Sequence, residues 1–450
     1  MSYLPPIRVW HLAVTVVLAV VLAGVSSGCD DNAKTTEQTR TAVQSQPTHS
    51  QPSHLANPPE DPRAALHDAL SSGAVKTNTD DRAVLLDILR TCGVPEASQV
   101  LVFSKTSHQD RLISPSHPRA IYFSDDCYIG WVPGGLIEFC DSDPEQGTAF
   151  FLLDPFAQGP LCLQADASCL TCHGGARTNY KPGLMVRSVY PDDKGFAILS
   201  AGSFVTGHAS PLHERWGGWY VTGTHGEMRH MGNTIAADLG DRASLDMQAG
   251  ANLQSLDEFF DVRRYPRPGS DIVALMVLEH QVQMHNLLTQ SSLMVREQSQ
   301  RSRSIAESDG RAFDPQEADT LMSLVRHRAE EIVEHLLFTD EFALESPICG
   351  DPAFVQAFAA NRRASKQDLS LKDFDLRTRL FRFRCSYMLY SRAFKQMPQV
   401  LKAEVYRQLH EALANEHPPS AAAHLARQER EDIAAILRDT VDDLPAYWLE

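Results

Sequence analysis

RAIYFSDDCYIGWVPGGLIEFCDSD, residues 119–143, is the stretch that decides the fold. Its apolar residues alternate with other residues on both sides of Pro133-Gly134, a pair favoured at the centre of a type II turn. The pattern therefore predicts two antiparallel strands joined by that turn. In such a hairpin Cys127 lies directly opposite Cys140, within disulfide reach. Two buried free thiols are the alternative interpretation.

The period-two pattern extends over residues 99–155, through QVLVFS, LIEFC and TAFFLLDP, and indicates further strands. PRAALHDAL and DDRAVLLDILRTCG, between residue 62 and about residue 93, have helical spacing instead. Residues 183–240 are rich in Gly, aromatic residues and His, which is typical of loops and short strands.

From Asp271 the pattern becomes helical to the end of the chain, in DIVALMVLEHQVQMHNLLTQSSLMVREQ, DPQEADTLMSLVRHRAEEIVEHLLF, DFDLRTRLFRFRCSYMLYSRAF and REDIAAILRDTVDDL. Asp314-Pro315 and Asp351-Pro352 suit helix starts, with Asp as the N-cap and Pro at the first helical position. We therefore predict an α+β fold. A strand- and loop-rich first half, residues 63–260, carries the chemistry, and a mainly α-helical second half, residues 261–450, packs on it.

Residues 1–28 are typical of an export signal, because a short apolar run at residues 12–25 is followed by small residues. Cys29 comes next and resembles the processed cysteine of bacterial lipoproteins, although Ser26 stands where that site usually has Leu. We expect a periplasmic protein with an acylated Cys29 that anchors it to the membrane; cleavage and release is the alternative. The polar residues 29–62 are expected to form a flexible linker.

The chain has 450 residues and a formal net charge of -16, without a basic block. This charge argues against a nucleic-acid partner, because the phosphate backbone is bound mainly by clustered Lys and Arg. Export would place the nine cysteines in an oxidising compartment. Besides the hairpin pair, Cys349 and Cys385 are candidates for a disulfide.

CLTCHGG, residues 169–175, contains the C-x-x-C-H spacing of covalent haem attachment. In such a site both thiols add to the haem vinyl groups, and the His ligates the iron. We therefore expect one haem c on Cys169 and Cys172, with His173 as its proximal ligand. Two weaker alternatives are a zinc site, which needs further closely spaced ligands, and a thioredoxin-type pair, which needs a βαβ context.

Around this motif the chain resembles a largely uncharacterised family of exported bacterial proteins with a single c-type haem signature and a cytochrome c-like domain. The resembling stretches span most of residues 119–391 and are RAIYFSDDCYIGWV, CLTCHGG, VRSVYPD, SPLHERWGGWYVTGTHG, LEHQVQMHN and LKDFDLRTRLFRFRCSYMLYS. The resemblance implies a haem-binding protein of the electron-transfer type, without a particular reaction.

The iron would need a sixth ligand, unless its second side is open to small molecules. Residues 208–231 hold several histidines and methionines, namely His208, His213, His225, Met228, His230 and Met231. Of these we favour His225, His230 or Met231.

Cationic and aromatic residues also follow the motif. Arg177 and Arg187, with Lys181, are possible partners of the haem propionates. A nearby group could wall the haem pocket or belong to the ordinary core. This group consists of Arg215, Trp216, Trp219 and Tyr220.

The helical half contains two further patterns. His280 and Met284 share a helix face, and His327, Glu331 and His335 line one face of another helix. The second pattern could be a metal site or a proton-handling strip, although a solvated helix face is the commoner explanation.

These features predict an electron carrier that exchanges electrons with an unidentified redox partner protein. One alternative is a haem oxidoreductase or peroxidase with an open iron site, and another is a haem-based redox or gas sensor.

Overall fold

The computed structural model describes residues 53–143, 145–237 and 244–449 of the chain. Its strands are β1 (Val100–Val102), β2 (Arg119–Phe123), β3 (Cys127–Trp131), β4 (Ile137–Asp143), β5 (Gly147–Leu153), β6 (Gln164–Ala165), β7 (Arg187–Val189), β8 (Ser203–Val205) and β9 (Trp219–Tyr220).

Its helices are α1 (Ser53–Ala56), α2 (Pro62–Ser71), α3 (Asp81–Thr91), α4 (Leu170–His173), α5 (Ile272–Ser308), α6 (Asp319–Leu336), α7 (Pro352–Phe358), α8 (Arg392–Lys395), α9 (Gln399–Ala414) and α10 (Arg427–Thr440).

Seven strands form one antiparallel sheet in the order β6-β5-β4-β3-β2-β1-β9. The first six are neighbours in the sequence as well as in the sheet, whereas β9 returns later to the edge formed by β1. Strands β7 and β8 form a separate antiparallel pair. The predicted strands between residues 99 and 155 and the short strands after residue 183 are thereby confirmed.

The large sheet has a hydrophobic core on each face, because successive side chains of a strand point to opposite sides. On one face Ile129 and Phe139 belong to the same core as Leu66 of α2 and Leu85 of α3. On the other face Tyr128 belongs to the core formed with α5 and the later helices. Strand β3 is therefore buried along its whole length.

Helix α5 connects the sheet to the helical half. Asp271 caps its start by accepting a hydrogen bond from the N–H of Ala274 at 2.8 Å. The helix then runs for 37 residues, and its first eleven residues are all buried. A helix that is covered on every side needs an internal partner for each polar side chain it carries.

The predicted α+β class is confirmed, with the sheet in the first half and helices α5 to α10 in the second. Residues 51–450 form one compact unit, so the two predicted regions share a single body. No helix in the described ranges is both long and apolar enough to cross a membrane. The described residues do not include the predicted signal at residues 1–28. They also do not include Cys29 and the rest of residues 29–52 of the predicted linker.

The β3–β4 hairpin corrects the predicted pairing of Cys127 and Cys140. The predicted turn exists, since the N–H of Gly135 donates to Val132 O at 2.8 Å and Gly134 has a φ of 81°. However, Trp131 pairs with Ile137, which leaves one extra residue on the β4 side. Cys127 therefore lies opposite Asp141, and Cys140 lies opposite Tyr128.

A distant side chain explains this shift. The amide of Gln109 accepts a hydrogen bond from the N–H of Leu136 at 2.7 Å and donates one to its carbonyl at 3.0 Å. These two bonds replace the ladder bonds that Leu136 would otherwise make within the hairpin. Because a slip of one residue reverses the faces, Cys127 and Cys140 point to opposite sides of the sheet.

Neither predicted disulfide is present, because Cys127, Cys140 and Cys385 are all free thiols in the structure. Cys385 is completely buried, whereas its proposed partner Cys349 is exposed. Cys127 instead forms a hydrogen bond with the thiol of Cys92. This hydrogen bond, together with burial, raises the pKa of Cys92 well above its usual value.

Two expectations for the helical half also need correction. Residues 373–386 are irregular, because the carboxylate of Asp375 accepts hydrogen bonds from the N–H groups of residues 377, 378 and 379 and so forms a turn. Phe374 and Phe381 stack across this turn with their centroids 5.2 Å apart. Asp351 caps α7 as predicted, but Asp314 caps a short 3-10 helix, and α6 begins at Asp319.

The role of Gln109 can be tested by replacement. We expect Gln109→Ala to lower the free energy of unfolding by about 1–3 kcal/mol, because it leaves partly buried backbone groups of Leu136 unsatisfied. Gln428→Ala, in an exposed pair with Asp432, should stay within about 0.5 kcal/mol of the unchanged protein. Urea unfolding followed by circular dichroism measures both, and equal midpoints for the two variants would contradict the role given to Gln109.

Candidate functional site

The C-x-x-C-H motif forms one short helical segment next to the sheet. Asp166 caps a 3-10 helix, Ala167–Cys169, by accepting a hydrogen bond from the N–H of Ser168 at 2.8 Å. Helix α4 follows directly, and its last turn is closed by the N–H of Gly174, which donates to Leu170 O at 2.9 Å. This folding places Cys169 and Cys172 three residues apart in helical geometry, where side chains lie on neighbouring positions of one face.

The two thiols differ in exposure and are both free. Cys169 is half-buried, and Cys172 is exposed. Burial raises the pKa of Cys169 to about 11, and the negative charges of Asp166 and Glu138 add to the shift. A reactive disulfide-exchange cysteine has a lowered pKa instead. The environment of Cys169 therefore disfavours the thioredoxin-type alternative.

His173 is oriented by a backbone carbonyl. Its Nδ1–H donates to Gly183 O at 2.9 Å, and its ring lies 4.8 Å from that of Phe150 on β5, centroid to centroid. Burial lowers its pKa, so the ring is neutral at pH 7. A neutral imidazole whose Nδ1–H is held by a carbonyl presents Nε2 as a lone-pair donor, as metal-binding histidines commonly do.

Two side chains of α5 hold the loop that supplies this carbonyl. The amide of Asn286 accepts a hydrogen bond from the N–H of Leu184 at 2.9 Å and donates one to its carbonyl at 2.7 Å. One helical turn later, Gln290 donates to Thr178 O at 3.2 Å and accepts from the amide of Asn179 at 3.1 Å. Sequence reasoning missed both residues, although the LEHQVQMHN stretch ends at Asn286.

The cationic residues expected near the motif differ in their settings. Arg187 donates to the hydroxyl of Ser203 at 3.1 Å, while its Nε is buried without a hydrogen-bond partner. Burial and the nearby Arg177 lower the pKa of Arg187, and Cys172 lies close enough to oppose that shift. Arg177 is exposed. The guanidinium of Arg187 therefore lies near both Arg177 and Cys172.

Exposed large apolar side chains are concentrated in the segment of the chain that contains the motif. Of the twelve large apolar side chains that are exposed in the described ranges, six fall between residues 156 and 205, namely Phe156, Leu170, Tyr180, Phe196, Leu199 and Val205. Leu170 lies within the motif itself, so at least one of these exposed apolar side chains is next to both thiols.

The three favoured sixth ligands lie together but have other partners. His225 Nε2 accepts a hydrogen bond from the N–H of Asn252 at 3.1 Å, and His230 Nδ1 accepts one from the N–H of Gly232 at 3.1 Å. Met231 Sδ accepts one from the hydroxyl of Ser188 at 3.5 Å. None of these contacts involves the motif.

The residues considered as walls of a haem pocket are buried in the cores. Arg215 forms an ion pair with Glu279 of α5 at 3.0 Å, and Trp216 is completely buried. Tyr220 packs against Phe103 in the core that the sheet forms with α2 and α3. Trp219 alone has a contact near the motif, since its indole N–H donates to Arg187 O at 2.8 Å.

The predicted strip on α6 is divided between solvent and core. His327 is exposed and lies 3.8 Å from Glu331, as a solvated helix face would predict. His335, in the last turn, instead meets two histidines from other elements, His208 and His280. His280 is completely buried, and so is Met284 on the same helix face.

No protein-family model, curated protein or solved structure matches this chain.

The carbonyl that orients His173 can be displaced by one methyl group. A Cβ on Gly183 would lie 2.7 Å from Oδ1 of Asn286, whereas a Cβ on Gly159 would meet nothing within 4 Å. We expect Gly183→Ala to shift the loop and increase amide hydrogen exchange in residues 174–184, while Gly159→Ala leaves it unchanged. Exchange measured by mass spectrometry checks this, and equal protection in both variants would show that Asn286 does not constrain the loop.

Proposed function

We propose that this chain is an exported c-type cytochrome-like protein that carries one covalently attached haem and transfers electrons. Cys169 and Cys172 form the thioether bonds, and Nε2 of His173 is the proximal iron ligand. Arg177 and Arg187 bind the propionates. The observation that carries the proposal is the Nδ1–H bond of His173 to Gly183 O, because it leaves a neutral ring with Nε2 available.

The residues present fit such a group. Two free thiols and a neutral imidazole occur within five residues, and Arg187, whose buried Nε has no hydrogen-bond partner, lies near Cys172. A covalently bound haem supplies a one-electron redox centre whose potential depends on its axial ligands and its surroundings. The sequence motif and the local structure thus agree in the chemistry that they support.

Exposure favours electron transfer over a sealed active site. Cys172 and Leu170 are exposed, and further apolar side chains between residues 156 and 205 are exposed as well. A redox partner protein could approach this surface closely and cover it on binding. We propose that this partner reaches the protein in the periplasm, where acylated Cys29 holds it at the membrane.

A second candidate function is an open haem site, for an oxidoreductase, a peroxidase or a gas sensor. The hydrogen bonds accepted by His225, His230 and Met231 favour this function. Each side chain would have to give up its hydrogen bond to become the sixth ligand. An iron without a sixth protein ligand can bind small molecules.

Expression with the cytochrome c maturation proteins, followed by visible spectroscopy, tests the proposal. We expect haem that stays attached after denaturation, a loss of one thioether in Cys172→Ala, and no change in Cys162→Ala. Cys162 is an exposed cysteine just outside the motif and is the matched control. Absence of covalent haem in the unchanged protein would refute the proposal.

The same preparation separates the two functions. A low-spin reduced spectrum that is indifferent to carbon monoxide supports the electron carrier, because the iron then has six protein-defined ligands. A spectrum that shifts with carbon monoxide supports the open site. In the first case, replacing the true sixth ligand among His225, His230 and Met231 should convert the spectrum to the ligand-sensitive form.

A further inference from the structure

Three histidines from three separate elements meet in the interior of the helical half. His208 follows β8 in a loop, His280 lies on α5, and His335 lies in the last turn of α6. One ring nitrogen from each histidine lies within 4.8 Å of the others. The ring centroids of His208 and His335 are 4.4 Å apart, and those of His280 and His335 are 5.2 Å apart.

The outer ring nitrogens of two of these histidines are already held. His208 Nε2 lies 3.4 Å from Thr339 O, and because a carbonyl only accepts hydrogen bonds, this nitrogen carries the proton. His280 Nε2 lies 2.7 Å from the hydroxyl of Ser386. In both rings Nδ1 then points inward, and the two Nδ1 atoms are 3.0 Å apart.

This pattern is that of metal ligands with supporting outer contacts. A histidine that binds a metal through one nitrogen usually gives the proton on its other nitrogen to a carbonyl, a hydroxyl or a carboxylate. Without a metal, His280 Nδ1–H donates to His208 Nδ1. With a metal, His280 needs only to carry its proton on Nε2, where the hydroxyl oxygen of Ser386 can accept it.

His335 completes the group with an unsatisfied nitrogen. Its Nε2 is buried and has no hydrogen-bond partner in the structure. Such a group costs about 1–3 kcal/mol when nothing binds it. Burial lowers the pKa of His335 to about 4 and that of His208 and His280 well below the usual value, so the three rings are neutral at pH 7.

The turn after α6 is strained in a way that serves this cluster. Phe338 and Asp340 have positive φ values of 55° and 62°, which side-chain-bearing residues rarely adopt. Between them, Thr339 presents its carbonyl to His208, and the Phe338 ring stacks on His280 at 4.1 Å. Backbone strain of this kind persists where the surrounding structure enforces it, often at a functional site.

We propose that His208, His280 and His335 bind one Zn²⁺ ion through three ring nitrogens. In a tetrahedral zinc site with bonds of about 2.0–2.1 Å, ligand nitrogens lie about 3.3 Å apart. The two Nδ1 atoms at 3.0 Å are therefore close to that spacing, and the ring nitrogen of His335, within 4.8 Å of them, has to move closer when the ion binds.

The three ligands indicate which ion binds and how many coordination positions the protein fills. The cluster is made of three neutral imidazoles, a ligand set that suits zinc and other borderline transition metals and does not suit Mg²⁺ or Ca²⁺, which prefer oxygen ligands. Three protein ligands leave the fourth position of a tetrahedral zinc ion for water or another small molecule. This proposal is independent of the haem proposed at His173.

Titration with Co²⁺, a coloured substitute for Zn²⁺, tests the site. The full chain should carry Cys169→Ser and Cys172→Ser, so that motif thiolates cannot bind the ion and produce sulfur charge-transfer bands. We expect one Co²⁺ per chain with visible absorption typical of tetrahedral coordination, displacement by one equivalent of Zn²⁺, and a higher Tm with Zn²⁺ than without it.

Three variants make the result specific. His335→Ala should abolish stoichiometric binding and the rise in Tm, whereas His327→Ala, on the exposed face of the same helix, should bind as the parent does. Ser386→Ala, which removes a positioning contact, should weaken Co²⁺ binding by about 10–100-fold. Circular dichroism without metal shows whether each variant is folded.

Two results would overturn the proposal. The first is a parent chain that binds neither Co²⁺ nor Zn²⁺ at micromolar concentrations. The second is a folded His335→Ala variant that binds both ions with unchanged stoichiometry and affinity. If His335→Ala is unfolded, the comparison of Ser386→Ala with His327→Ala decides, because equal Co²⁺ affinities in those two variants would also exclude the site.

Discussion

Buried hydrogen bonds of α5 fix how this helix sits between the sheet and the helical half. The amide of Gln281 donates to Tyr128 OH at 3.0 Å and to Ser124 O at 2.7 Å, and it accepts a hydrogen bond from Tyr387 OH at 2.6 Å. Tyr128 also contacts His285 Nδ1 at 2.6 Å. A rotation or slip of α5 would leave these groups unpaired in a dry interior, which is costly for each of them.

Both candidate sites depend on this fixed helix. Asn286 and Gln290 hold the loop whose carbonyl orients His173, and His280 contributes to the histidine cluster. His280 and Asn286 are separated by six residues, or about 9 Å along the helix axis. The geometry of the motif loop and that of the cluster are therefore set by the same packing of α5.

Local patterns predicted the regular elements well, and they failed where a distant group intervened. The alternation in residues 119–143 correctly predicted the strands and the Pro133-Gly134 turn. It could not predict which residues of the two strands lie opposite each other, because Gln109, remote in the sequence, forms the hydrogen bonds of the Leu136 backbone in place of the partner strand. Likewise the pattern of residues 373–386 predicted a helix, but Asp375 forms a turn there instead.

The candidate site, too, was predictable only in the part that depends on residues adjacent in the sequence. Cys169, Cys172 and His173 are neighbours in the sequence, so their spacing alone indicates haem attachment. Gly183 and Asn286 could not be found in this way, because their roles arise from one hydrogen bond to His173 and one close contact between loop and helix. Neither contact leaves a periodic signal.

The sequence by itself determined the α+β class, most of the helices and strands, and the haem-type motif, since each of these depends on residues close together along the chain. Only the tertiary structure decided which histidines meet. Helical spacing put His327 and His335 on one face of α6, yet of these two side chains only His335 meets His280 of α5 and His208 of the loop after β8. Burial follows from the packing of distant elements, and so His335 joined His208 and His280 while His327 remained in solvent.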